Sequence, residues 1–498
     1  MTDLKKIMEV INRCTDIAEV IRFAKIHYRK LNRTERALIF NQVIQDRQVN
    51  LERFNFSLRL SVELSSIFIS YKTNIIKTLG KYKFDLATEK EIFIIIIEKI
   101  YELDWSKKVI NNGFERNNFR RYFNYKYDYP SIHLYEYFKL FQYFETLSED
   151  IYGISIKRNF YNLIILLSST KNLYIKNKNF KEEFGKQEDF DNLFIDGNEI
   201  NEKMFIEDNL RKAFKGKLGI KFSDGLYVPR TYHLFENILR GILESPKSKD
   251  KKGDVLETYS KEIIGNFFEK VYHTSFDNKG NEQDLIITYE DIILFIECKS
   301  QNFKNIFIEG KDATSTIEKH FKDVIVKACK QCQRGKEYLL NNNNVIYYSS
   351  NNKKERKEVL KISKSEHKKI YKIVVVLDEY LDLAELSNRY LEEKYKDTWV
   401  VNIFALQKIL WISTRINGIK TFFEYLEYRT QNYLAIESLH SDELAQFGYW
   451  ISPNYHFYPR LDLNLNIILG NRFSSVFEEY DSYFFKELEQ ELRVIMNT

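Results

Sequence analysis

Between Asn281 and Gln301 the chain reads NEQDLIITYEDIILFIECKSQ. Two runs of apolar and β-branched residues, Leu285 to Thr288 and Ile292 to Ile296, are separated by Tyr289, Glu290 and Asp291, which is the pattern of a β-hairpin. An even-length loop centred on Glu290 and Asp291 pairs Tyr289 with Ile292, Ile287 with Leu294 and Asp284 with Glu297. Directly opposed residues lie roughly 4.5–5.5 Å apart at Cβ. Glu297 and Lys299 are two apart on one strand and share a face. Two carboxylates and an ammonium therefore converge at the end of an apolar hairpin. Opposed like charges cost stability, and a divalent cation between the carboxylates relieves that cost, because carboxylate oxygens suit Mg²⁺. The plainer reading is an ordinary Glu297–Lys299 ion pair at a strand end. An odd-length loop would put Asp284 on the other face, and Glu-Asp is not a favoured two-residue turn.

The surroundings favour a site. Upstream, KGDVLETYSKEIIGNFFEKVY (252–272) carries Leu256, Ile263, Phe267 and Val271 at helical spacing. Gly253 and Asp254 can open this helix, with Asp254 as its cap. Glu257 falls in the row of Ile264 and Phe268, at the edge of the buried stripe. Downstream, a helix is expected from about Ser315 to Leu340. Its row Ala328, Gln331, Gly335, Tyr338 suits close approach to a sheet. Ile370 to Leu377 is a continuous apolar run of the buried-strand kind.

This order of elements resembles the PD-(D/E)xK nuclease superfamily, the restriction-endonuclease-like fold, and within it the Mrr-like and NERD-like branch. The matching residues are Gly253-x-x-x-Glu257 on the first helix, Asp284 on the second strand, Glu297-Cys298-Lys299 on the third, and Gln331 on the following helix. Gln283 stands where the superfamily often has proline. The match covers about 130 of the 498 residues. The resemblance implies an α/β nuclease core, a central mixed sheet flanked by helices, within a mainly α-helical multidomain chain. It implies Glu257, Asp284, Glu297, Lys299 and Gln331 as catalytic residues. Asp284, Glu297, the backbone carbonyl of Cys298 and Glu257 would hold Mg²⁺, with Mn²⁺ as a substitute. The implied activity is metal-dependent hydrolysis of DNA phosphodiester bonds in restriction or anti-phage defence. The rival readings are an RNA-directed nuclease and a nuclease-fold binding or assembly protein with a weak or silent site.

The rest of the chain bounds these readings. Hydrophobic residues make up 44% and charged residues 30%, as in globular proteins. The 15% aromatic content, with abundant Ile, Asn and Lys, reads as a compositional bias rather than a stacking surface. Net charge is only +5, so nucleic-acid affinity must come from local patches. The basic, polar stretch Asn341 to Lys372 is such a patch. It reads either as a solvated insertion or as a source of phosphate contacts beside the site from Lys353, Lys354, Lys357, Lys368 and Lys369. The four cysteines suggest no disulfide framework. Cys329 and Cys332, three apart on a predicted helix with no second pair, read as two half-buried thiols rather than a zinc site. No signal-peptide pattern opens the chain, and Ile92 to Ile97 and Leu163 to Leu167 are too short to span a bilayer of about 30 Å. A cytoplasmic protein with no membrane partner is expected. Its partners would be DNA, with RNA as the alternative, and either a second copy of itself or another defence subunit. No Walker A pattern is present, so no ATPase is expected.

Three regions follow. Residues 1–245 read as mainly helical, a sensor, partner-binding or nucleic-acid-binding region with scattered histidines (His27, His133, His233) and a charged linker at 176–192. The stretch KEIFIIIIEKIYELDW there fits a buried helix or a strand. SPKSKDKKG (245–253) is a linker by composition. The resemblance makes residues 246–380 the expected nuclease core. Residues 381–498 form a mixed, mostly helical extension packing on that core, in which Trp399 to Phe404 reads as a strand running into a helix. The tail is an amphipathic helix that packs internally or dimerises.

Overall fold

The computed structural model describes residues 4–49, 58–71, 84–108, 134–168, 174–176, 187–201, 204, 213–214, 216–229, 233–249, 251–301, 318–378, 384, 387–431, 439–440, 443–451, 467–468 and 478–497. His133 and most of the 176–192 linker lie outside these residues. The chain divides into two compact units. One comprises Met1–His133, Tyr137–Ser248 and Leu492–Thr498; the other comprises Leu134–Glu136 and Lys249–Glu491. The stretch 381–491 thus belongs to the same unit as the hairpin.

The first unit is built on helices. KEIFIIIIEKIYELDW lies within one of them, Leu86–Lys108, with Ile92, Phe93, Ile96, Ile97 and Ile100 fully buried. Its core is aromatic: the Phe40 and Phe93 rings lie 4.5 Å apart, and Tyr28 stacks on Phe68 at 5.3 Å. His27 meets Glu89 at 2.8 Å, both buried. The unit also contains a four-stranded sheet, which the reading of a mainly helical region did not resolve. Its strands in sheet order are Tyr174–Lys176, Gly225–Tyr227, Gly219–Phe222 and Phe194–Asp196. Strands of three and four residues leave too little alternation to be read from sequence.

The second unit is a mixed α/β layer. Helix α1 (Lys252–Gly265) leads into strands β1 (Val271–Phe276), β2 (Glu282–Tyr289) and β3 (Ile292–Lys299). A helical segment containing α2 (Lys327–Leu340) follows, then β4 (Asn344–Tyr348), β5 (Glu358–Ser363), β6 (Lys369–Val376) and β7 (Thr398–Asn402). The sheet order is β7-β6-β3-β2-β1-β4-β5. β6 runs parallel to both β3 and β7, and the other pairs are antiparallel. β6, β3 and β2 carry near-continuous apolar runs, as strands covered on both faces must. α1 and α2 both pack on β3 and β2. Ser260 of α1 lies against the Cys298 side chain, while Gly335 of α2 lies against the Phe295 ring; residues 295 and 298 point to opposite faces of β3, so the two helices take opposite faces.

Several expectations are met here. The hairpin register pairs Tyr289 with Ile292 and Ile287 with Leu294, and Glu290 takes a left-handed φ of 49° in the turn. β7 extends the sheet and runs into α3 (Ile403–Asn417), capped by Asn402. Two others are corrected. The first helix stops at Gly265, not near Tyr272, and Lys251 rather than Asp254 is its N-cap. Val271 begins β1, where the β-branched, aromatic sequence VYHTSF favours a strand. The stretch 341–372 is folded into strands: β4 and β5 form a hairpin whose Val345, Tyr347, Leu360 and Ile362 are buried and whose tip is exposed.

In the extension, α4 (Ile419–Gln431) packs on the turn end of the hairpin, with Phe423 stacked on Tyr289 at 5.3 Å. The tail helix α5 (Glu478–Asn497) packs internally through Tyr480 and Phe484 on Trp411 of α3. Among the described residues no helix is long and apolar enough to cross a membrane.

Candidate functional site

The backbone ladder between β2 and β3 stops at Leu285–Ile296, one rung short of Asp284 and Glu297. The next bonds are made by side chains. Gln283 Nε2 donates to the carbonyl of Ile296 at 3.0 Å, and Asp284 Oδ2 accepts from the amide of Cys298 at 2.7 Å. A strand pair that replaces its ladder with side chains separates at that end while its register stays fixed. The acidic groups are thereby held next to each other without a backbone hydrogen bond between them.

Glu297 is fully buried. Its Oε1 accepts from Gln283 Nε2 at 2.7 Å and its Oε2 from Lys299 Nζ at 3.0 Å. Lys299 Nζ also lies 3.8 Å from Asp284 Oδ2. Burial first, and then the Asp284 carboxylate, push the Glu297 carboxyl up to about 8 despite Lys299. Burial opposes the Lys299 ammonium, but Glu297 and Asp284 outweigh it and hold its pKa above the ordinary lysine value.

Glu257 approaches from α1, within electrostatic reach of Asp284 and Lys299. Burial, then Asp284 and Glu282, push its carboxyl up to about 7. Its Oε2 lies 3.4 Å from Nε2 of His273, a half-buried imidazole on β1 whose pKa burial and Lys261 lower. Thr274, next along β1, has φ 46°, which a β-branched residue rarely adopts. That strained position stands opposite Asp284 in the β1–β2 register, where the ladder between His273–Leu285 and Ser275–Gln283 is interrupted. Backbone strain of this kind clusters at functional sites.

Of the residues singled out in the sequence, Asp284, Glu297 and Lys299 come together, and Glu257 lies near enough for Asp284 and Lys299 to act on its charge. Gln331 lies half-buried on α2, and among the described residues its amide makes no hydrogen bond to any of these four. The amide that does so is Gln283, whose place in the sequence carries no charge pattern to announce it. The glycine that makes room for it is Gly335 of α2. A Cβ there would lie 2.8 Å from Gln283 Oε1 and 2.8 Å from Phe295 Cδ1. Cys329 and Cys332 are fully buried rather than half-buried, and burial pushes both thiols up.

The five lysines separate into two groups. Lys353, Lys354 and Lys357 lie on the β4–β5 loop, where Asn351 comes against Gly280 in the β1–β2 turn, at the Asp284 end of the sheet. Lys368 and Lys369 lie at the opposite end, their amides donating to the carbonyl of Asp291 in the β2–β3 turn. Lys369 pairs with Ile292, and Val374 pairs with Glu297. Five residues of strand, roughly 17 Å, therefore part Lys369 from the carboxylates. Its ammonium is engaged by Glu427 at 3.2 Å.

The donor set can be tested against a divalent cation. With all four groups ionised, Glu257, Asp284, Glu297 and Lys299 carry a net charge of −2. Burial is the first cause of both raised carboxyls, and the neighbouring Asp284 carboxylate adds to it. Among the described residues, no three His, Cys, Asp or Glu side chains close on one point as a metal cage. Asp284 and Glu297 supply two carboxylates, with the Cys298 carbonyl beside them. Mg²⁺ is commonly held by one or two carboxylates, completed by water and phosphate oxygens. The residues fit such an open site and do not fit a closed structural one.

The same burial and repulsion act on stability. Both carboxyls titrate above the ordinary glutamate value of 4.5. The stability they contribute is fully present below about pH 4.5 and is lost as pH rises through about 7 and 8. Without divalent cations, hydrogen-exchange protection of β2 and β3 is expected to fall between pH 6 and pH 9, by roughly tenfold or more. Mg²⁺ at pH 9 should restore it, and Glu297→Gln should flatten the pH dependence. Protection in the wild type that rises with pH in EDTA would refute this electrostatic picture.

Comparison of the chain with protein families, curated proteins and solved structures found no match to any of them.

Proposed function

We propose that this chain is a metal-dependent nuclease of the PD-(D/E)xK type, hydrolysing phosphodiester bonds of DNA with Mg²⁺, or Mn²⁺ in its place. The observation that carries the reading is the convergence of Asp284, Glu297 and Lys299 where β2 and β3 part, in a pocket of negative charge that Glu257 deepens. Carboxylates packed this closely without enough counter-charge destabilise the protein. The arrangement is accounted for if a cation and a phosphate complete it.

Asp284 and Glu297 would hold the cation, with the Cys298 carbonyl as a further oxygen donor. When bound, the cation would act as a Lewis acid on the phosphate and lower the pKa of a water. The chain's own groups do the rest. Gln283 fixes the Glu297 carboxylate by donating to one oxygen, leaving the other to Lys299. Asp284 is oriented by the Cys298 amide. Lys299 keeps its proton across neutral pH, so its ammonium is available to the charge that develops on a phosphate oxygen. Glu257, close to half-ionised at neutral pH, can accept a proton from a water or hold it in place. His273 beside it is a neutral imidazole able to steady that carboxyl. A role in restriction or anti-phage defence belongs to the same proposal, as the setting in which such a chain would cut.

The test is direct. The purified full chain is given supercoiled plasmid, linear duplex, single-stranded DNA and RNA, each with Mg²⁺, with Mn²⁺ and with EDTA. Cleavage of DNA with either cation and none with EDTA is expected. Cutting confined to RNA would change the substrate class. No cutting of any nucleic acid would leave a binding protein on a nuclease-like frame.

A further inference from the structure

The net charge of the whole chain, +5, is matched by one stretch of it. Between Ser349 and Lys369 there are eight lysines and arginines against Glu355, Glu358 and Glu366, again a net +5. The rest of the molecule balances. This excess is carried largely on the β4–β5 hairpin, which joins the sheet through a single rung, Phe276–Tyr348.

The tip of that hairpin is ordered by its own bonds. The amides of Glu355 and Arg356 donate to the Asn352 carbonyl, both at 3.0 Å, and the Lys354 amide donates to Asn352 Oδ1 at 3.2 Å. Ser349 closes the base: its amide donates to the Lys357 carbonyl at 2.9 Å, and its Oγ accepts from the Lys357 amide at 3.1 Å. The Arg356 guanidinium lies 4.2 Å from the centre of the Tyr348 ring. Lys353, Lys354 and Lys357 are exposed, and their ammonium groups have no partner among the described residues. Three unpaired charges on a pre-ordered turn are not needed for folding, and their mutual repulsion opposes it.

The turn is also well placed. Asn351 stands against Gly280, four residues before Asp284. Four residues of chain reach at most about 14 Å, which is about four nucleotide steps at 3.4 Å per strand.

We propose that this hairpin tip grips double-stranded DNA, with Lys353, Lys354 and Lys357 on backbone phosphates a few nucleotides from the bond presented to Asp284 and Glu297. The proposal rests on the nuclease reading for the identity of that bond. A two-stranded ribbon ending in a compact turn has the width that the major groove of B-form DNA admits. The deep, narrow major groove of A-form RNA excludes it, and a single strand offers no groove. Lys368 and Lys369, at the other end of the sheet, take no part in this grip.

Binding of the full chain to a short blunt DNA duplex, to the same duplex as RNA and to one DNA strand is measured in EDTA over a range of salt. Three proteins are compared: wild type, a Lys353→Ala/Lys354→Ala/Lys357→Ala variant and a Lys368→Ala/Lys369→Ala variant. Wild type should prefer the DNA duplex. The triple variant should bind it more weakly, with a salt slope shallower by about 2–3 units, at roughly 0.9 per phosphate contact. The double variant should keep the wild-type slope. An unchanged slope in the triple variant overturns the proposal, as does wild-type preference for RNA or for the single strand. Because no cleavage is read, the outcome separates from the nuclease reading. A chain that cuts DNA while the triple variant keeps its slope loses only the grip. A chain that binds through the tip and never cuts loses only the nuclease.

Discussion

Asp284→Asn and Glu297→Gln are each expected to abolish cleavage while the fold persists. Both changes keep size and shape. The carboxamide oxygen of an asparagine can still accept from the Cys298 amide, as Asp284 Oδ2 does at 2.7 Å. Glutamine in place of Glu297 can still accept from Gln283 and leaves Lys299 facing Asp284. Each change removes one negative charge at the cation, and Glu297→Gln also gives up the acceptor that Lys299 uses. A Lewis-acid metal is worth several kcal/mol of transition-state stabilisation, which corresponds to a rate loss on the order of 10³-fold or more. In EDTA the pH dependence of stability should be flatter in Glu297→Gln than in wild type, because the variant removes a carboxyl whose charged form burial disfavours. A variant that cuts at the wild-type rate would show that its carboxylate is an ordinary strand-end acid.

Lys299→Met should separate chemistry from docking. The ammonium sits 3.0 Å from Glu297 and 3.8 Å from Asp284, so its ground-state partners are already satisfied. What it adds in the reaction is attraction to charge that appears on the phosphate only during attack. An interaction that strengthens in the transition state raises the chemical step and leaves binding nearly unchanged. Removal of one such preorganised donor costs about 10²–10³-fold in rate. Methionine retains the apolar stem, so packing is preserved. Single-turnover cleavage should therefore collapse while affinity for duplex DNA in EDTA stays within about twofold, since no phosphate contact is lost. Equal losses in both would place Lys299 in docking, and an unchanged rate would remove it from the reaction.

The hairpin was legible because its two apolar runs fix both length and register: once Tyr289 meets Ile292, every later pair follows. The same arithmetic brought Asp284 to Glu297. It could not show that the ladder stops before them, because that depends on the side chains of Gln283 and Asp284 taking the place of backbone partners. Gln283 was visible only as a missing proline, and an amide that orients a carboxylate has no spacing rule. Gly335 was legible as a small residue suited to close approach, though not as the space Gln283 fills. His273 escaped notice because the helical stripe from Leu256 continues in sequence through Phe267 to Val271, and only Gly265 and the β-branched residues beyond it argue otherwise.

The basic stretch misled for a different reason. Lys353 and Lys369 are sixteen residues apart and look like one patch. β5 and the turn after it carry the chain from the β1–β2 turn to the β2–β3 turn, so neighbours in sequence lie at opposite ends of the sheet. The alternation that builds this hairpin, Val345 and Tyr347 against Leu360 and Ile362, is diluted by lysine and asparagine on the other face.

The measurement that bears most directly on the metal site is Mn²⁺ binding to the full chain at pH 8, followed by electron paramagnetic resonance of free and bound ion, for wild type and the Asp284→Asn/Glu297→Gln variant. Wild type should bind the ion, Mg²⁺ should compete it away, and the variant should not bind it. Mn²⁺ binding of undiminished affinity in the variant would contradict the assignment of these two carboxylates.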